Sequence, residues 1–258
     1  MSTTKQTIEG YAREAYVALK STLKKDHQHK AKFLLFGRGR SGSTLLTSIL
    51  NSSPLIFCDK EILNRPVLRP TAFIKQRASL FNEDIYGFKL LSYQLRSVQN
   101  RINEPKEFLV NLVKNEGYQM IFMSSSNLLR QTLSKFYANH RNVWHQQKSM
   151  ESRSKMTIDV KALHKSLDEG AALGNFEKEV IDGLNYLDIS YETDLSNTER
   201  QLETIKKIST FLQIPEFAPK IELKKITTEK FSGFIENYEE MAKYLSKTPY
   251  AKFLSDSE

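Results

Sequence analysis

Residues 32–50 have the sequence KFLLFGRGRSGSTLLTSIL, which combines three features in an informative order. A short apolar run that ends in glycine is typical of a buried parallel strand. The glycine-bearing turn from Gly37 to Thr44 follows, and TLLTSIL then has the pattern of a helix. A strand, a glycine turn and a helix in this order predict the start of a βαβ unit.

Strand-like and helix-like segments alternate along the rest of the chain. The further candidate strands are 85–91, 118–125 and 184–191, and the candidate helices are 127–138, 196–214 and 235–254. Ser196 and Glu199 have the spacing of a capping box at the start of the second of these helices. The alternation predicts an α/β fold, P-loop-like and three-layered, with a mainly parallel central sheet flanked by helices.

The N-terminal segment 5–25 has the pattern of an amphipathic helix. Its apolar side chains at helical spacing are Ile8, Tyr11, Ala12, Ala15, Leu19 and Leu23. This face packs on the protein's own domain, or it makes a peripheral contact with a membrane or a partner. We predict an N-terminal helix and basic segment over 1–30, and a single α/β domain over 31–258.

The composition excludes several classes of protein. The chain has 258 residues, of which 40% are hydrophobic, and this fits a globular protein with a real core. Its single cysteine, Cys58, excludes an internal disulfide framework and a cysteine-based zinc site. The absence of a signal-like N-terminus and of an apolar run of about 18 residues predicts a cytoplasmic protein.

The net charge of +8 suggests a polyanionic ligand or a basic solvated surface. No helix-turn-helix pattern and no aromatic and basic RNA motif accompanies it, so we do not expect a nucleic-acid partner. The five histidines lack the spacing of metal ligands, and we therefore predict no metal. The oligomeric state is left open.

The turn after the first strand is a candidate anion site. It matches the P-loop pattern G-x-x-x-x-G-K-[ST] at both glycines and at Thr44, but Ser43 replaces the lysine. Backbone amides and the following helix N-terminus favour a phosphate or a sulfate, and Arg40 can bind it through two hydrogen bonds. Ser43 argues against a kinase or NTPase, although that class stays an alternative. A structural turn that binds no ligand is a second alternative.

Several segments, in order, resemble the sulfotransferases that use 3′-phosphoadenosine 5′-phosphosulfate (PAPS), especially bacterial carbohydrate-type members. The loop Arg40-Ser41-Gly42-Ser43-Thr44 has the family form [RK]-S-G-[ST]-T. The other similar segments are 58–64, 86–91, 126–138, 189–195 and 236–254. The resemblance covers roughly 32–254 and implies in-line sulfuryl transfer from PAPS to a hydroxyl of a carbohydrate or glycolipid-type acceptor.

The resemblance also implies which residues bind the donor. The 5′-phosphosulfate would be held by Gly39, Arg40, Ser41, Gly42, Ser43 and Thr44, and the 3′-phosphate by Ser134. The family has an arginine eight residues before that serine, whereas this chain has Ser126. A lost charged hydrogen bond costs about 1.5–3 kcal/mol. Arg130 or the pair Lys224 and Lys225 would restore the charge; otherwise the chain is a degenerate, non-catalytic nucleotide-binding module.

Glu61 is the residue we predict as the general base, with Asp59 as a close alternative. Lys89 would help to hold the sulfuryl oxygens, and Arg40 would stabilise the leaving phosphate. The alternative for each of these residues is an ordinary surface side chain or an ion-pair partner with no catalytic role. His145 is a rival base, and Trp144 beside it would form an acceptor-binding wall.

Overall fold

A five-stranded sheet lies at the centre of the structure, a computed structural model that describes residues 4–24, 27–141, 155–219 and 230–254. The strands are β1 (Ala31–Gly37), β2 (Ile56–Glu61), β3 (Ile85–Leu91), β4 (Tyr118–Ser124) and β5 (Tyr186–Ser190). They are ordered β2-β3-β1-β4-β5, and every neighbouring pair is parallel. The predicted parallel sheet is confirmed.

The helices connect the strands and follow the sheet. They are α1 (Thr4–Thr22), α2 (Ser43–Leu50), α3 (Pro70–Ala78), α4 (Pro105–Val110), α5 (Leu128–Arg141), α6 (Val160–Ile181), α7 (Tyr191–Asp194), α8 (Thr198–Leu212), α9 (Phe231–Phe234) and α10 (Tyr238–Leu245). Single π-helical turns cover Gln94–Val98 and Asn111–Asn115, and a 3₁₀ turn covers Ala251–Phe253. Within these described residues, no helix combines the length and the apolar character that crossing a membrane requires.

Two hydrophobic clusters cover the two faces of the sheet. One face of β1 and β3 packs with α1, α3, α4 and the end of α6, in a cluster that includes Leu34, Phe88 and Phe73. The other face packs with α2 and α8, in a cluster that includes Leu35 and Leu46. Because strand side chains alternate between the two faces, both clusters are built from the same strands. The predicted three-layer α/β fold is confirmed.

The chain divides into two compact units. Residues 1–124 and 176–221 form the first unit, which contains the sheet. Residues 125–175 and 222–258 form the second. The second unit has its own core, with Leu129, Leu163 and Phe234 fully enclosed, and a bridge between Met156 and Ile235.

The structure differs from the sequence patterns in two helical details and decides a third. The N-cap of α8 is Asn197, which accepts a hydrogen bond from the Arg200 amide, and not Ser196. The predicted helix 235–254 starts later and is interrupted: Ile235 is extended, α10 covers Tyr238–Leu245, and only the 3₁₀ turn Ala251–Phe253 follows it. In α1, the face that packs on the protein contains Gly10, Glu14 and Val17, and the predicted apolar face points outward.

Candidate active site

The loop between β1 and α2 has the backbone of an anion-binding turn. Gly37 and Gly42 have positive φ angles of 150° and 82°, and Arg40 also adopts a positive φ of 67°. At Gly42 a Cβ atom would lie only 2.5 Å from Cδ2 of Tyr191, so a side chain there is excluded by contact as well as by conformation. A left-handed arginine costs roughly 1–2 kcal/mol, and such strain is concentrated at functional sites.

The N-terminus of α2 opens onto this loop. Gly42 is the N-cap and has no side chain that accepts from the first amides of the helix. Ser41 is fully buried and donates its hydroxyl to the Arg38 carbonyl at 2.8 Å, which closes the turn. First-turn amides and the helix dipole together attract an anion.

Arg40 brings a cation to the same loop. Burial lowers the pKa of its guanidinium, and the nearby Tyr191 partly offsets this effect. An arginine remains charged after such a shift, since its ordinary pKa is far above neutrality. A partly desolvated cation beside a helix N-terminus is stabilised by an anion such as a phosphate or a sulfate.

Glu61 and Lys89 meet at the edge of this loop. Nζ of Lys89 lies 2.9 Å from Oε1 of Glu61 and donates to Oγ1 of Thr44 at 3.3 Å. Lys89 is 6% exposed, whereas Glu61 keeps part of its carboxylate open to solvent. Gln94 donates to the other oxygen of Glu61 at 3.3 Å, and the hydroxyl of Tyr93 lies 3.5 Å from it. The structure thus brings two predicted catalytic residues to a residue of the predicted donor loop.

A β-bulge in β2 explains why Glu61 reaches the loop while Asp59 does not. Asp59 pairs with Phe88, but Glu61 pairs with the next residue, Lys89, because the register shifts between them. Residues i and i+2 of a regular strand share a face, and the extra residue places Asp59 and Glu61 on opposite faces.

Asp59 is held on its own face by Arg77. Nε of Arg77 donates to Asp59 at 2.6 Å, and the Lys60 amide donates to the other carboxylate oxygen at 2.9 Å. Burial alone would lower the pKa of Arg77, but the hydrogen bond and charge of Asp59 raise it above its ordinary value. Asp59 is therefore a structural ion-pair partner in this geometry, which favours Glu61 over it as the base.

The buried carboxylate of Glu177 also holds the loop, and the sequence did not reveal this role. Oε2 of Glu177 accepts from Nε and Nη2 of Arg38 at 3.1 and 2.8 Å. Its other oxygen accepts from the Ser92 hydroxyl at 2.6 Å, and the residue is 1% exposed. Arg38 and Glu177 are 139 residues apart in sequence, so no local pattern marks the pair.

Three residues predicted for the 3′-phosphate, Ser126, Arg130 and Ser134, belong to the second unit. Asn127 accepts from the Arg130 amide at 2.7 Å, as an N-cap does, and Ser134 lies two turns into α5. Ser126 is exposed, directly before this helix begins. The guanidinium of Arg130 lies 4.9 Å from the centre of the Phe231 ring. Binding of a nucleotide by these residues stays a prediction.

Four predicted residues lie outside the described part of the chain: Trp144, His145, Lys224 and Lys225. Their predicted roles therefore stay predictions. Within the described ranges, no group of three or more His, Cys, Asp or Glu side chains is placed to hold a metal ion.

Comparison with solved structures identifies the fold. The structure is similar to that of a sulfotransferase from Alicyclobacillus acidocaldarius, with a TM-score of 0.52 and 12% identity, covering 89% of this chain and 96% of the other. It is also similar to mouse sulfotransferase SULT7A1 complexed with PAP, with a TM-score of 0.43 and 13% identity, covering 94% and 93%. No protein-family model matches the sequence, and no curated protein matches it. The bacterial structure agrees with the resemblance seen in the sequence: the chain has the fold of a sulfotransferase.

Proposed function

We propose that the protein is a PAPS-dependent sulfotransferase that acts on a hydroxyl of a carbohydrate or glycolipid-type acceptor. The observation that carries this proposal is the contact of Lys89 with both Glu61 and Thr44, at the loop that contains Arg40. This arrangement suits the transfer of an anionic group, because it combines the carboxylate of Glu61, the ammonium group of Lys89 and an anion-binding helix N-terminus.

The donor would be held by the loop residues 39–44. The amides at the start of α2, the hydroxyls of Ser43 and Thr44, and the guanidinium of Arg40 are donors suited to a phosphosulfate. At about 4 Å and an effective dielectric of about 20, one charge pair with Arg40 contributes roughly 4 kcal/mol before desolvation. When bound, PAPS supplies a sulfuryl group attached to a phosphate leaving group.

Glu61 acts as the base in the proposed reaction. Its carboxylate takes the proton of the acceptor hydroxyl while the new oxygen–sulfur bond forms and the bond from sulfur to the bridging phosphate oxygen breaks. Lys89 holds Glu61 in place and offsets negative charge at the reacting group. Arg40 offsets the charge that develops on the departing phosphate.

The residues for the 3′-phosphate of the donor and for the acceptor are proposed from the sequence, and only Ser134 among them comes from the family resemblance. Ser134 contacts the 3′-phosphate of the donor, and Arg130 or the pair Lys224 and Lys225 supplies the charge that Ser126 lacks. Trp144 and His145 form the wall against which a sugar stacks. We further propose that the protein works in the cytoplasm.

The test is transfer of labelled sulfuryl from PAPS to a panel of mono- and oligosaccharides and glycolipids. We expect labelled product with the wild-type protein and a rate at least about 100-fold lower with Glu61→Gln, since removal of a general base costs about 10²–10⁴-fold. Glu203→Gln, a change at an exposed position of α8, is the matched control and should keep the full rate. Equal rates in both variants would contradict the role of Glu61. No transfer to any acceptor, combined with no binding of the product nucleotide, would overturn the proposed function.

A further inference from the structure

Helix α1 presents an apolar row to solvent. The side chains of Ile8, Leu19 and Leu23 are 63%, 65% and 79% exposed, and that of Tyr16 is 56% exposed. Among the residues that the structure describes, nine large apolar side chains are exposed, and these four lie on or directly after this one helix. Their spacing, completed by alanines at positions 12 and 15, places the row along one face. The row is therefore a local feature and not a scatter of single residues.

The opposite face of α1 is fixed to the first unit. A Cβ atom on Gly10 would lie within 1.9 Å of the Pro66 carbonyl oxygen, so the helix backbone approaches that segment closely. The buried carboxylate of Glu14 accepts hydrogen bonds from the amides of Leu68 and Arg69 at 2.6 and 2.9 Å. A rotation that buried the apolar row would break both bonds, and the row consequently stays outward.

The charges around the row are positive. Lys5, Lys20 and Lys24 are exposed at its two ends, and Nζ of Lys20 lies 5.3 Å from the centre of the Tyr16 ring. Of the two acidic residues of α1, Glu14 is buried on the inner face, and Glu9 pairs with Arg65 at 3.2 Å. An apolar face flanked by lysines fits a surface that is apolar inside and anionic at its boundary.

We propose that the outer face of α1 docks the protein on an anionic lipid bilayer. The apolar row enters the boundary between headgroups and acyl chains, and the lysines contact the headgroups. A second copy of the chain fits the same face less well. In an antiparallel helix pair the lysine at one end would meet the lysines at the other, and in a parallel pair each lysine would meet its equivalent. This proposal is independent of the sulfuryl-transfer reaction.

The experiment is co-sedimentation of the full chain with phosphatidylcholine vesicles that contain 30% phosphatidylserine or none. The variants are Ile8→Ser combined with Leu19→Ser, and Leu202→Ser as a control that removes an exposed leucine from another helix, α8. All three positions are exposed, so neither variant should disturb folding, which a thermal melt verifies. Light scattering of each protein in solution measures its mass and so shows whether two copies of the chain associate.

We expect binding to the anionic vesicles that weakens at high salt and falls by about tenfold or more in the double variant, while Leu202→Ser binds as the wild type does. Absence of vesicle binding, or equal binding of the wild type and the double variant, would overturn the proposal. A wild-type dimer that the double variant dissociates would assign the face to a second copy. Equal binding to both kinds of vesicle would contradict the role of the lysines.

Discussion

Replacing Glu177 with glutamine tests whether the buried carboxylate holds the anion-binding loop. Glu177 accepts two hydrogen bonds from Arg38 and one from Ser92, and it is 1% exposed. Glutamine has nearly the same shape but no charge, and only its carbonyl oxygen accepts. The change therefore leaves the Arg38 guanidinium in place without its anionic partner.

The expected cost follows from the burial of the two groups. Removing one partner of a fully buried ion pair costs about 3–5 kcal/mol. The Arg38 side chain is 21% exposed, so water recovers part of this loss, and a glutamine carbonyl in place of Oε2 still accepts the hydrogen bonds from Arg38. We expect unfolding free energy to fall by about 2–3 kcal/mol. At roughly 2–4 °C per kcal/mol for a chain of this size, the melting temperature falls by about 4–12 °C.

Differential scanning calorimetry of the wild type, Glu177→Gln and Glu203→Gln measures this effect. Glu203 is exposed, so its substitution removes an equal charge without a buried partner. The product nucleotide of the proposed reaction should also bind more weakly to Glu177→Gln, because an uncharged partner holds Arg38, and with it the loop, less firmly. A melting temperature equal to that of Glu203→Gln would refute the argument.

Two further substitutions and one labelling experiment test the structure. Gly42→Ala should destabilise the fold by at least about 1 kcal/mol in urea unfolding, because φ is positive and the new Cβ meets Tyr191; an unchanged midpoint would contradict the loop geometry. Asp59→Asn should retain transfer within about tenfold while Glu61→Gln loses it, as initial rates will show; the reverse order would make Asp59 the base. Burial raises the pKa of the Cys58 thiol to about 12, so the native protein should not react with a disulfide reagent at pH 8 until urea unfolds it, and rapid native labelling would contradict this burial.

The sequence was sufficient to predict the central strand and the helix after it, but not the edge strand β2 or helix α6. An apolar strand followed by glycines marks β1 and α2, because a buried strand and a positive-φ turn each demand particular residue types. The edge strand β2 was missed, since it contains Asp59, Lys60 and Glu61 and pairs on one side only. Helix α6 was also missed. It contains Gly170, a poor helix former, and a Cβ there would lie 2.8 Å from Cδ1 of Leu128.

The candidate site was predictable where one segment contributes several of its residues. Arg40 and Thr44 belong to a contiguous loop, and Lys89 ends a strand-like run. The bulge that separates Asp59 from Glu61 depends on pairing with β3, and local patterns do not report a register shift. For that reason the sequence left the two carboxylates as alternatives. The direction of the apolar row of α1 was left open for a similar reason, because Gly10 and Glu14 pack through a close backbone contact and hydrogen bonds that hydrophobic periodicity does not detect.

Calorimetric titration with 3′,5′-adenosine bisphosphate, the product nucleotide of the proposed reaction, tests whether the loop after β1 binds a PAPS-type donor. The titration compares the wild type with Arg40→Ala and with Arg101→Ala, which removes an equal charge at an exposed position, and uses magnesium ATP as the competing ligand. We predict micromolar binding of the bisphosphate that is lost in Arg40→Ala, retained in Arg101→Ala and much stronger than binding of ATP. No binding of the bisphosphate, or preference for ATP, would contradict the assignment of the loop to a PAPS-type donor.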